Sequence, residues 1–510
     1  MLRILGLIFA LFLGASPALA WRVAETPHFR IYSEGSVQRL QSDAAALEDY
    51  HRLLELLTGK KFSADAPPLD IYMIDGRKEM QIFVPNVSDS IAGMYMATPG
   101  GILALSEEGS VNPAAWNSGR QTLLHEYAHH FMMQTGGTAP AWYVEGFAEY
   151  LMTATFKPDK VEFGLGNPGR FYVLTSMPWI DLEKLLGSEG RKTPDQFYAQ
   201  SWLLTHYMFR NPEMAPKLKE YLRRVSSGEE SVSAFKAAVS EDLPAFQREL
   251  RRYMRSSSMT YSRLKREPPG KEEIRINYLP SSAEKILLPL ASMQLPQKKE
   301  TDERNLKRIR DAAARNPGDP YAEKALAIAE AIGGDGKLAA AKLDTLLAQL
   351  PNDVDLLRWR ASLYLDNDKL ADEDRLKARR LLVRAFKQVP NDWQVLLAYV
   401  DSFDSGEKLP PNVLDVLLKA TMLAPQVSEL GVRAGFELAR AGNYSLAYEI
   451  LAPAVLNPHG KQESSIEKLL QALKTGEKGQ VDAAFEAFEK KGVEVPDLPT
   501  IPEPGPAAHQ

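Results

Sequence analysis

The chain has 510 residues, of which 45% are hydrophobic and 25% are charged, and its formal net charge is −5. This length exceeds what one hydrophobic core supports, so we expect two or three globular domains. The mild acidity argues against nucleic acid as the main partner. Because the chain has no cysteine, disulfides, thiolate metal ligands and a lipid-modified N-terminal cysteine are excluded. Any metal must be held by histidine, aspartate or glutamate.

The first twenty residues have the pattern of a secretory signal peptide. Arg3 supplies a positive charge, 4–13 is a short apolar run, and Ala18-Leu19-Ala20 is a small-residue cleavage site before Trp21. The apolar run is too short to span a bilayer comfortably, although an uncleaved anchor is the alternative. After removal of residues 1–20 we expect a periplasmic or secreted protein with no membrane span.

Residues 21–255 are predicted to form a first domain that mixes strands and helices. Strands are indicated at 29–32 and 69–74, a hairpin at 91–105, and a helix at 37–57 that ends at Gly59. The next helix is capped by Asn117 or Ser118 and ends at Gly136-Gly137, and another starts near Pro140 and runs to about Thr155. Further helices are predicted at Pro194–Arg210, Ala215–Val225, Ser231–Val239 and Leu243–Arg255.

The rest of the chain is predicted to be a linker, a helical repeat array and a tail. Residues 256–300 have weaker periodicity and contain Pro268-Pro269-Gly270, which is typical of a transition between domains. Residues 301–494 are helical and repetitive. The tail 495–510 is rich in proline, and we expect it to be disordered.

The repeat array has a regular spacing of helix breaks. The breaks contain Pro317, Pro351, Pro390, Pro425 and Pro458, which lie 34, 39, 35 and 33 residues apart. A period near 34 built from paired helices is the signature of tetratricopeptide repeats. The array therefore resembles that family, with a generic α-solenoid as the alternative. We expect such an array to bind a protein partner.

His125-Glu126-Tyr127-Ala128-His129 is the strongest chemical motif. On a helix, positions i and i+4 lie on one face, so both imidazoles can reach one metal ion with Glu126 beside it. Glu126 would hold a metal-polarised water and accept its proton. Apolar neighbours make the rest of this helix suitable for burial.

A hydrolytic zinc site needs a third protein ligand and one open position. The segment 142–150, Trp-Tyr-Val-Glu-Gly-Phe-Ala-Glu-Tyr, offers Glu145, which lies 16 residues after His129. Gly136-Gly137 provides the chain reversal that would pack the two helices together. Glu149, one turn further on, could accept the N–H of a ligand histidine, or could itself be the third ligand.

These two motifs together resemble the gluzincin (peptidase MA-like) metallopeptidases. By this resemblance His125, His129 and Glu145 hold one Zn²⁺ ion, Glu126 is catalytic, and Glu149 is the acidic residue one turn after the third ligand. The resemblance implies an α+β domain of a small sheet and active-site helices, here followed by an all-α tetratricopeptide-like solenoid. It covers 91–210 closely and 21–255 loosely.

Two further elements fit the same family. Residues 197–204, which begin Phe-Tyr-Ala-Gln, resemble the helix that carries the catalytic tyrosine in aminopeptidase N relatives, so Tyr198 would stabilise an oxyanion. A position in an apolar core is the alternative for Tyr198. Gluzincins also bind substrate along an edge strand, for which 92–95 or 101–104 are candidates, with an ordinary hairpin as the alternative.

One departure from the family affects the expected activity. No Gly-x-Met-Glu-Asn motif precedes the metal helix, and aminopeptidases use its glutamate to hold the substrate's amino terminus. We therefore expect an endopeptidase that acts on a protein or peptide substrate. The alternatives are an inactive peptidase-like scaffold whose repeats bind envelope proteins, and a hydrolase of non-peptide substrates. The presence of Glu126 argues against the scaffold.

Overall fold

A computed structural model of the chain describes residues 21–87, 91–108, 119–137, 139–256, 259–266, 274–366, 371–403, 408–455 and 464–489. The predicted signal peptide (1–20), the predicted helix caps Asn117 and Ser118, the repeat break at Pro458 and the tail from Val495 lie outside these ranges.

The N-terminal part of the chain alternates strands and helices. Its elements as far as the metal motif are β1 (Arg22–Glu25), β2 (Phe29–Ser33), α1 (Val37–Thr58), β3 (Leu69–Ile74), α2 (Arg77–Phe83), β4 (Gly93–Thr98), β5 (Gly101–Glu107) and α3 (Gly119–Gln134). Those that follow are α4 (Ala141–Leu151), β6 (Thr155–Phe156), β7 (Lys160–Phe163), α5 (Pro168–Ser176), α6 (Leu182–Leu186), α7 (Pro194–Arg210), α8 (Met214–Ser226), α9 (Ser231–Ala238) and α10 (Leu243–Met254).

Most of the predicted elements are confirmed, and one helix end is wrong. Helix α1 ends where Gly59 adopts a left-handed conformation with φ 68°, as expected for a C-terminal glycine. The helix from Pro140 ends at Leu151 rather than near Thr155. Thr155 and Phe156 instead pair with β7, because a β-branched and an aromatic residue favour a strand when a partner strand is available.

Two strands and a helix lie within 256–300. They are β8 (Ser262–Lys265), β9 (Arg275–Tyr278) and α11 (Ala283–Met293). Strand β9 pairs with β1, so the main sheet has the order β4-β5-β3-β2-β1-β9, and β8 completes a second sheet of order β6-β7-β8. Part of the segment that we expected to be a transition is therefore built into the two N-terminal sheets.

Helices pack on both faces of the main sheet. One face carries Phe29, Ile31 and Ile71, which are buried against α1 and α3 in the largest apolar cluster. The other face carries Tyr72, Met94 and other apolar side chains, which pack against α2 and α11. The helix with the metal motif is thus held against one face of a sheet whose opposite face is also covered.

The C-terminal part is a continuous array of helices in which each helix packs on the next. Its elements after α11 are α12 (Lys299–Arg315), α13 (Pro320–Gly333), α14 (Gly336–Gln349), α15 (Val354–Leu365), α16 (Asp372–Gln388), α17 (Trp393–Asp401), α18 (Pro411–Leu423), α19 (Ser428–Arg440), α20 (Tyr444–Val455), α21 (Ser464–Thr475) and α22 (Lys478–Glu489).

The predicted helix breaks at the first four prolines are turns between these helices. In three of them an aspartate caps the following helix: Asp319, Asp353 and Asp392 each accept a hydrogen bond from a backbone N–H in the first turn. Such a cap satisfies an otherwise unpaired donor and fixes the start of the helix. The recurring proline and aspartate therefore mark where one pair of helices ends and the next pair begins.

The helical array returns to the main sheet. Gln394 of α17 donates a hydrogen bond to the Gly100 carbonyl at the tip of the β4–β5 hairpin (2.7 Å). Ala97 and Ile102, a cross-strand pair in this hairpin, pack against an apolar cluster formed by α17, α18 and α19. Gln426 donates to the Gln134 side chain at the end of α3 (2.7 Å). The array and the metal-motif helix therefore meet on the same hairpin.

Within the described parts of the chain, no helix is both long and apolar enough to cross a membrane.

Gly146 sets the distance between α4 and α7, because a Cβ at this position would overlap the Thr205 hydroxyl and the Ser201 carbonyl. We expect Gly146→Ala to lower the free energy of unfolding by about 1–3 kcal/mol through overpacking, as measured by urea denaturation. Gly479→Ala in α22 is the matched control, since a Cβ there meets nothing within 4 Å. Equal stability of the two variants would contradict the close helix approach.

Candidate metal centre

Helices α3 and α4 bring three potential metal ligands together. His125 and His129 are one helical turn apart on α3, and Glu145 lies in the middle of α4. The chain reverses between the helices at Gly136 and Gly137, both of which have positive φ (66° and 110°), a conformation that glycine adopts without steric cost. The predicted reversal therefore has the expected glycine geometry, and it allows α4 to pack against α3.

The ligand atoms have the spacing of a tetrahedral metal site. His125 Nε2 is 3.0 Å from His129 Nε2, and Glu145 Oε2 is 3.3 Å and 3.4 Å from the two ring nitrogens. Zinc–nitrogen bonds of about 2.0–2.1 Å at tetrahedral angles place neighbouring ligand atoms about 3.3 Å apart. Among the described residues, His125, His129 and Glu145 form the one group that could hold a metal ion in this way.

The charges around the three ligands also fit a divalent cation. The carboxylates of Glu126, Glu145 and Glu149 are 8%, 1% and 2% exposed, and the guanidinium of Arg170 lies against Glu149. When both histidines are neutral, as metal ligation requires, the three carboxylates and Arg170 carry a net charge of −2. Because buried net charge is costly, a bound ion of charge +2 would balance the site. The donor set and the charge thus both fit Zn²⁺.

The pKa of His125 reflects the same negative surroundings. Burial acts to lower it, but the hydrogen bond and charge of Glu145 and the charges of Glu149 and Glu126 outweigh burial and raise it to about 9. Positive charge at this ring is therefore stabilised by carboxylates from both helices.

Glu149 lies beside His125 but has a second partner that sequence reasoning missed. Its Oε1 is 3.7 Å from His125 Nδ1, which is longer than a hydrogen bond. Both of its oxygens accept hydrogen bonds from Arg170, at 2.8 Å from Nε and 2.6 Å from a terminal nitrogen. Such a fork holds the carboxylate in one orientation. The carboxylate therefore lies next to the ligand histidine, held there by Arg170.

Arg170 is placed by a short helix that the sequence analysis did not include. Asn167 caps α5 by accepting from the Arg170 N–H, and Pro168 occupies the first turn, a common helix start. The Asn-Pro pair signals the helix, but nothing in the sequence links Arg170 to Glu149, which is 21 residues away. The pairing depends on the fold of the strands between them.

Tyr198 lies near the start of α7, with its ring beside His125. Its ring centroid is 6.3 Å from that of His125, and the Arg170 guanidinium carbon is 5.2 Å from the centroid of the same ring. Burial and the charges of Glu145, Glu149 and Glu126 raise the pKa of Tyr198 well above its usual value. The phenol therefore keeps its proton and can donate a hydrogen bond.

Strand β4 packs against α3, the helix that carries both candidate histidine ligands. It is at the end of the strand order, whereas β5 lies between β4 and β3, so of the two candidate segments only 92–95 belongs to an edge strand. The Tyr95 hydroxyl bonds His130 Nδ1 (2.8 Å). Burial and, to a lesser extent, the charge of Glu126 raise the pKa of Tyr95.

His130 lies outside the ligand group although it follows a ligand in sequence. Burial lowers its pKa to about 3, so the ring is neutral, and its hydrogen bond to Tyr95 ties α3 to β4. The placement agrees with the helical geometry, in which residue 130 is rotated away from the face shared by 125 and 129.

We expect the purified chain to bind one equivalent of zinc and Glu145→Gln to bind it far more weakly. The amide preserves the shape of the side chain but removes the anionic ligand atom. Changes to residues that hydrogen-bond a metal ligand lower the affinity by up to about 100-fold, so loss of a ligand itself should lower it by more. Competition with a chromophoric chelator measures the affinity. Glu330→Gln, a change at a buried carboxylate of α13, is the control and should bind zinc normally.

Removal of Arg170 should destabilise the folded chain, because the buried Glu149 carboxylate would lose its cationic partner. We expect Arg170→Met to lower the free energy of unfolding by about 3 kcal/mol, because it leaves a buried carboxylate unpaired. The double variant with Glu149→Gln should lose less than the sum of the two single changes, as measured by denaturant unfolding. Additive losses would mean that the two side chains do not interact as the fork geometry indicates.

Comparisons with known proteins do not assign the chain to a family. No protein-family model matches it, and no curated protein matches it. Among solved structures, MamA 41-end from Desulfovibrio magneticus RS-1 matches 34% of this chain and 96% of its own length, with 20% sequence identity and a TM-score of 0.26. A likeness of this size carries no argument about fold or activity.

Proposed function

We propose that this chain is a zinc-dependent metallopeptidase that hydrolyses internal peptide bonds. The observation that carries the proposal is the buried group of His125, His129 and Glu145, whose three ligand atoms lie 3.0–3.4 Å apart. Two imidazoles and one carboxylate are a donor set that catalytic zinc sites use, and they leave a coordination position open. When bound, zinc would supply Lewis-acid activation of water and of the substrate carbonyl.

Glu126 is the proposed general base. It lies in the same helical turn as both histidines and is close enough to β4 for its charge to act on Tyr95. From this position its carboxylate would accept a proton from the attacking water and pass it to the leaving amine.

Tyr198 and β4 are proposed to bind the substrate. The protonated phenol of Tyr198 would donate a hydrogen bond to the oxyanion that develops at the scissile carbonyl. Among the described strands, β4 is paired on one edge only, and an extended peptide can pair with the other edge of such a strand. Arg170 would act through Glu149, which it holds beside the ligand histidine.

The finer assignments follow from the same residues. We propose a gluzincin-type centre because the third ligand is a glutamate on the helix after the His125–His129 pair, and a tetratricopeptide-like array because paired helices recur with breaks about 34 residues apart. The residue pattern of 1–20 supports export to the periplasm or secretion. The helical array would bind the protein substrate or another protein partner.

Incubation with dephosphorylated β-casein, an unfolded protein, tests the proposed reaction. We expect zinc-dependent internal cleavage, detected by mass spectrometry of the fragments. Glu126→Gln should reduce the rate about 100- to 10,000-fold and leave zinc binding intact, while Glu330→Gln cleaves normally. Unchanged cleavage by Glu126→Gln would refute its role as base. Absence of cleavage in the wild type, with zinc and partner binding retained, would favour the inactive scaffold.

The same assay separates Tyr198 from an ordinary core tyrosine. Tyr198→Phe should lower kcat about 100- to 1,000-fold with little change in KM, because the lost hydrogen bond forms only with the oxyanion. Tyr172→Phe, which changes a half-exposed tyrosine on α5, is the control. A kcat equal to that of the control would place Tyr198 outside the reaction.

A further inference from the structure

The second helices of three successive helix pairs end in exposed apolar side chains. Leu350 follows the end of α14, Val389 follows the end of α16, and Met422 is in the last turn of α18; they are 48%, 44% and 74% exposed. Each lies one to three residues before a proline that starts a turn. Leu350 and Val389 occupy equivalent positions directly before a proline, whereas Met422 lies two residues earlier relative to its proline. The three side chains therefore lie at the ends of three successive second helices of the array.

Helix α16 adds two more exposed apolar side chains to this set. Val383 and Phe386 are both 41% exposed and lie one turn apart in the C-terminal half of the helix. Exposed apolar side chains scattered singly are ordinary, but a contiguous set usually marks an interaction surface. We refer to Leu350, Val383, Phe386, Val389 and Met422 as the apolar row.

Basic side chains accompany the row. The stretch 379–389 contains three arginines, one lysine and no acidic residue, in a chain whose net charge is −5. Arg380, Arg384 and Lys387 are exposed. Lys419 of α18 lies 5.8 Å from the centroid of the Phe386 ring. A row of apolar side chains flanked by cations is complementary to a ligand with apolar and acidic side chains.

Contacts between neighbouring pairs hold these cations in place. Arg384 donates a hydrogen bond to the Pro351 carbonyl, and Lys419 donates to the Pro390 carbonyl (3.0 Å). In both cases a cation of one pair is anchored to the turn of the preceding pair. Arg384 and Lys419 therefore occupy equivalent positions beside two successive turns of the array.

One end of the row lies beside the candidate metal domain. The Gln134 side chain at the end of α3 is 3.5 Å from the Met422 carbonyl, and Asn391, two residues after Val389, donates to Asp65 (2.7 Å). A chain bound along the row would thus lead toward the helix that carries His125 and His129.

We propose that the apolar row and its cations form a docking site for an extended, acidic and apolar segment of a protein substrate. This proposal names the kind of substrate segment that the array would bind. It rests on the proposed function only for the later cleavage of that segment. A polypeptide fits better than a membrane surface. Four of the five apolar side chains are less than half exposed, so they lie between neighbouring side chains, and the row crosses three turns as an extended chain would.

The test measures binding without cleavage. The Glu126→Gln chain would be titrated against fluorescein-labelled dephosphorylated β-casein, which is acidic and unfolded, and against the same protein with its carboxyl groups amidated. We expect saturable binding that weakens with salt and weakens at least tenfold on amidation. Arg380→Glu with Val383→Ser should raise Kd at least tenfold, because it reverses one charge and removes one apolar contact.

A matched double change elsewhere on the array is the control. Lys337→Glu with Leu338→Ser alters an exposed lysine and a leucine that is 42% exposed at the start of α14, about 20 Å along the helix from Leu350. It should leave Kd within twofold of the unaltered chain. Equal loss in both double variants, or equal binding of amidated casein, would overturn the proposal.

Two further outcomes separate this proposal from others. Binding to phosphatidylglycerol vesicles through the same residues, without binding to casein, would identify a membrane surface and refute a polypeptide site. Casein binding that depends on the row, in a chain that cleaves nothing when Glu126 is present, would uphold the docking site and refute the peptidase.

Discussion

The close packing of α4 between α3 and α7 is the constraint on which the candidate centre depends. Gly146 lets α4 approach α7, and this places Glu145, its neighbour in sequence, 3.3 Å and 3.4 Å from the two imidazoles of α3. A larger residue at 146 would displace α4 from α7 and so shift the Glu145 carboxylate relative to both rings. The spacing of the ligand atoms is therefore set by helix packing as much as by the identity of the ligands.

Charge balance connects this packing to the proposed chemistry. Three buried carboxylates would repel one another in a site of low polarity, and Arg170 compensates only one of them. The remaining charge suits a divalent cation, and burial together with the same carboxylates raises the pKa of Tyr198, so its phenol stays protonated. One arrangement of charges thus favours a bound cation and a protonated hydrogen-bond donor beside His125.

The helical array and the candidate centre share one structural element, the β4–β5 hairpin. Its base packs against α3, and its tip is bonded to α17 and packed against α17–α19. Polypeptide bound to the array would be delivered to the domain that carries the proposed edge strand. The contacts of Gln426 and Gln134 fix the array against the end of α3, so the two parts keep a defined relation in the structure.

The sequence determined the features that depend on near neighbours along the chain. The helical spacing of His125 and His129, the glycine reversal after α3 and the first four proline breaks of the array follow from local geometry, and the structure has each of these where the sequence predicts. Glu145 could be identified because the absence of cysteine left few ligand types and because one reversal brings the next helix alongside.

Only the tertiary structure decided the features that join distant segments. These are the pairing of Arg170 with Glu149, the return of β9 to the edge of the main sheet, the position of β4 at the opposite edge, and the contact of α17 and α19 with the hairpin. The residues involved have no distinctive spacing, since their partners are set by long-range packing and by the order of strands. Such contacts form only when distant segments fold together, so the local pattern of residues does not indicate them.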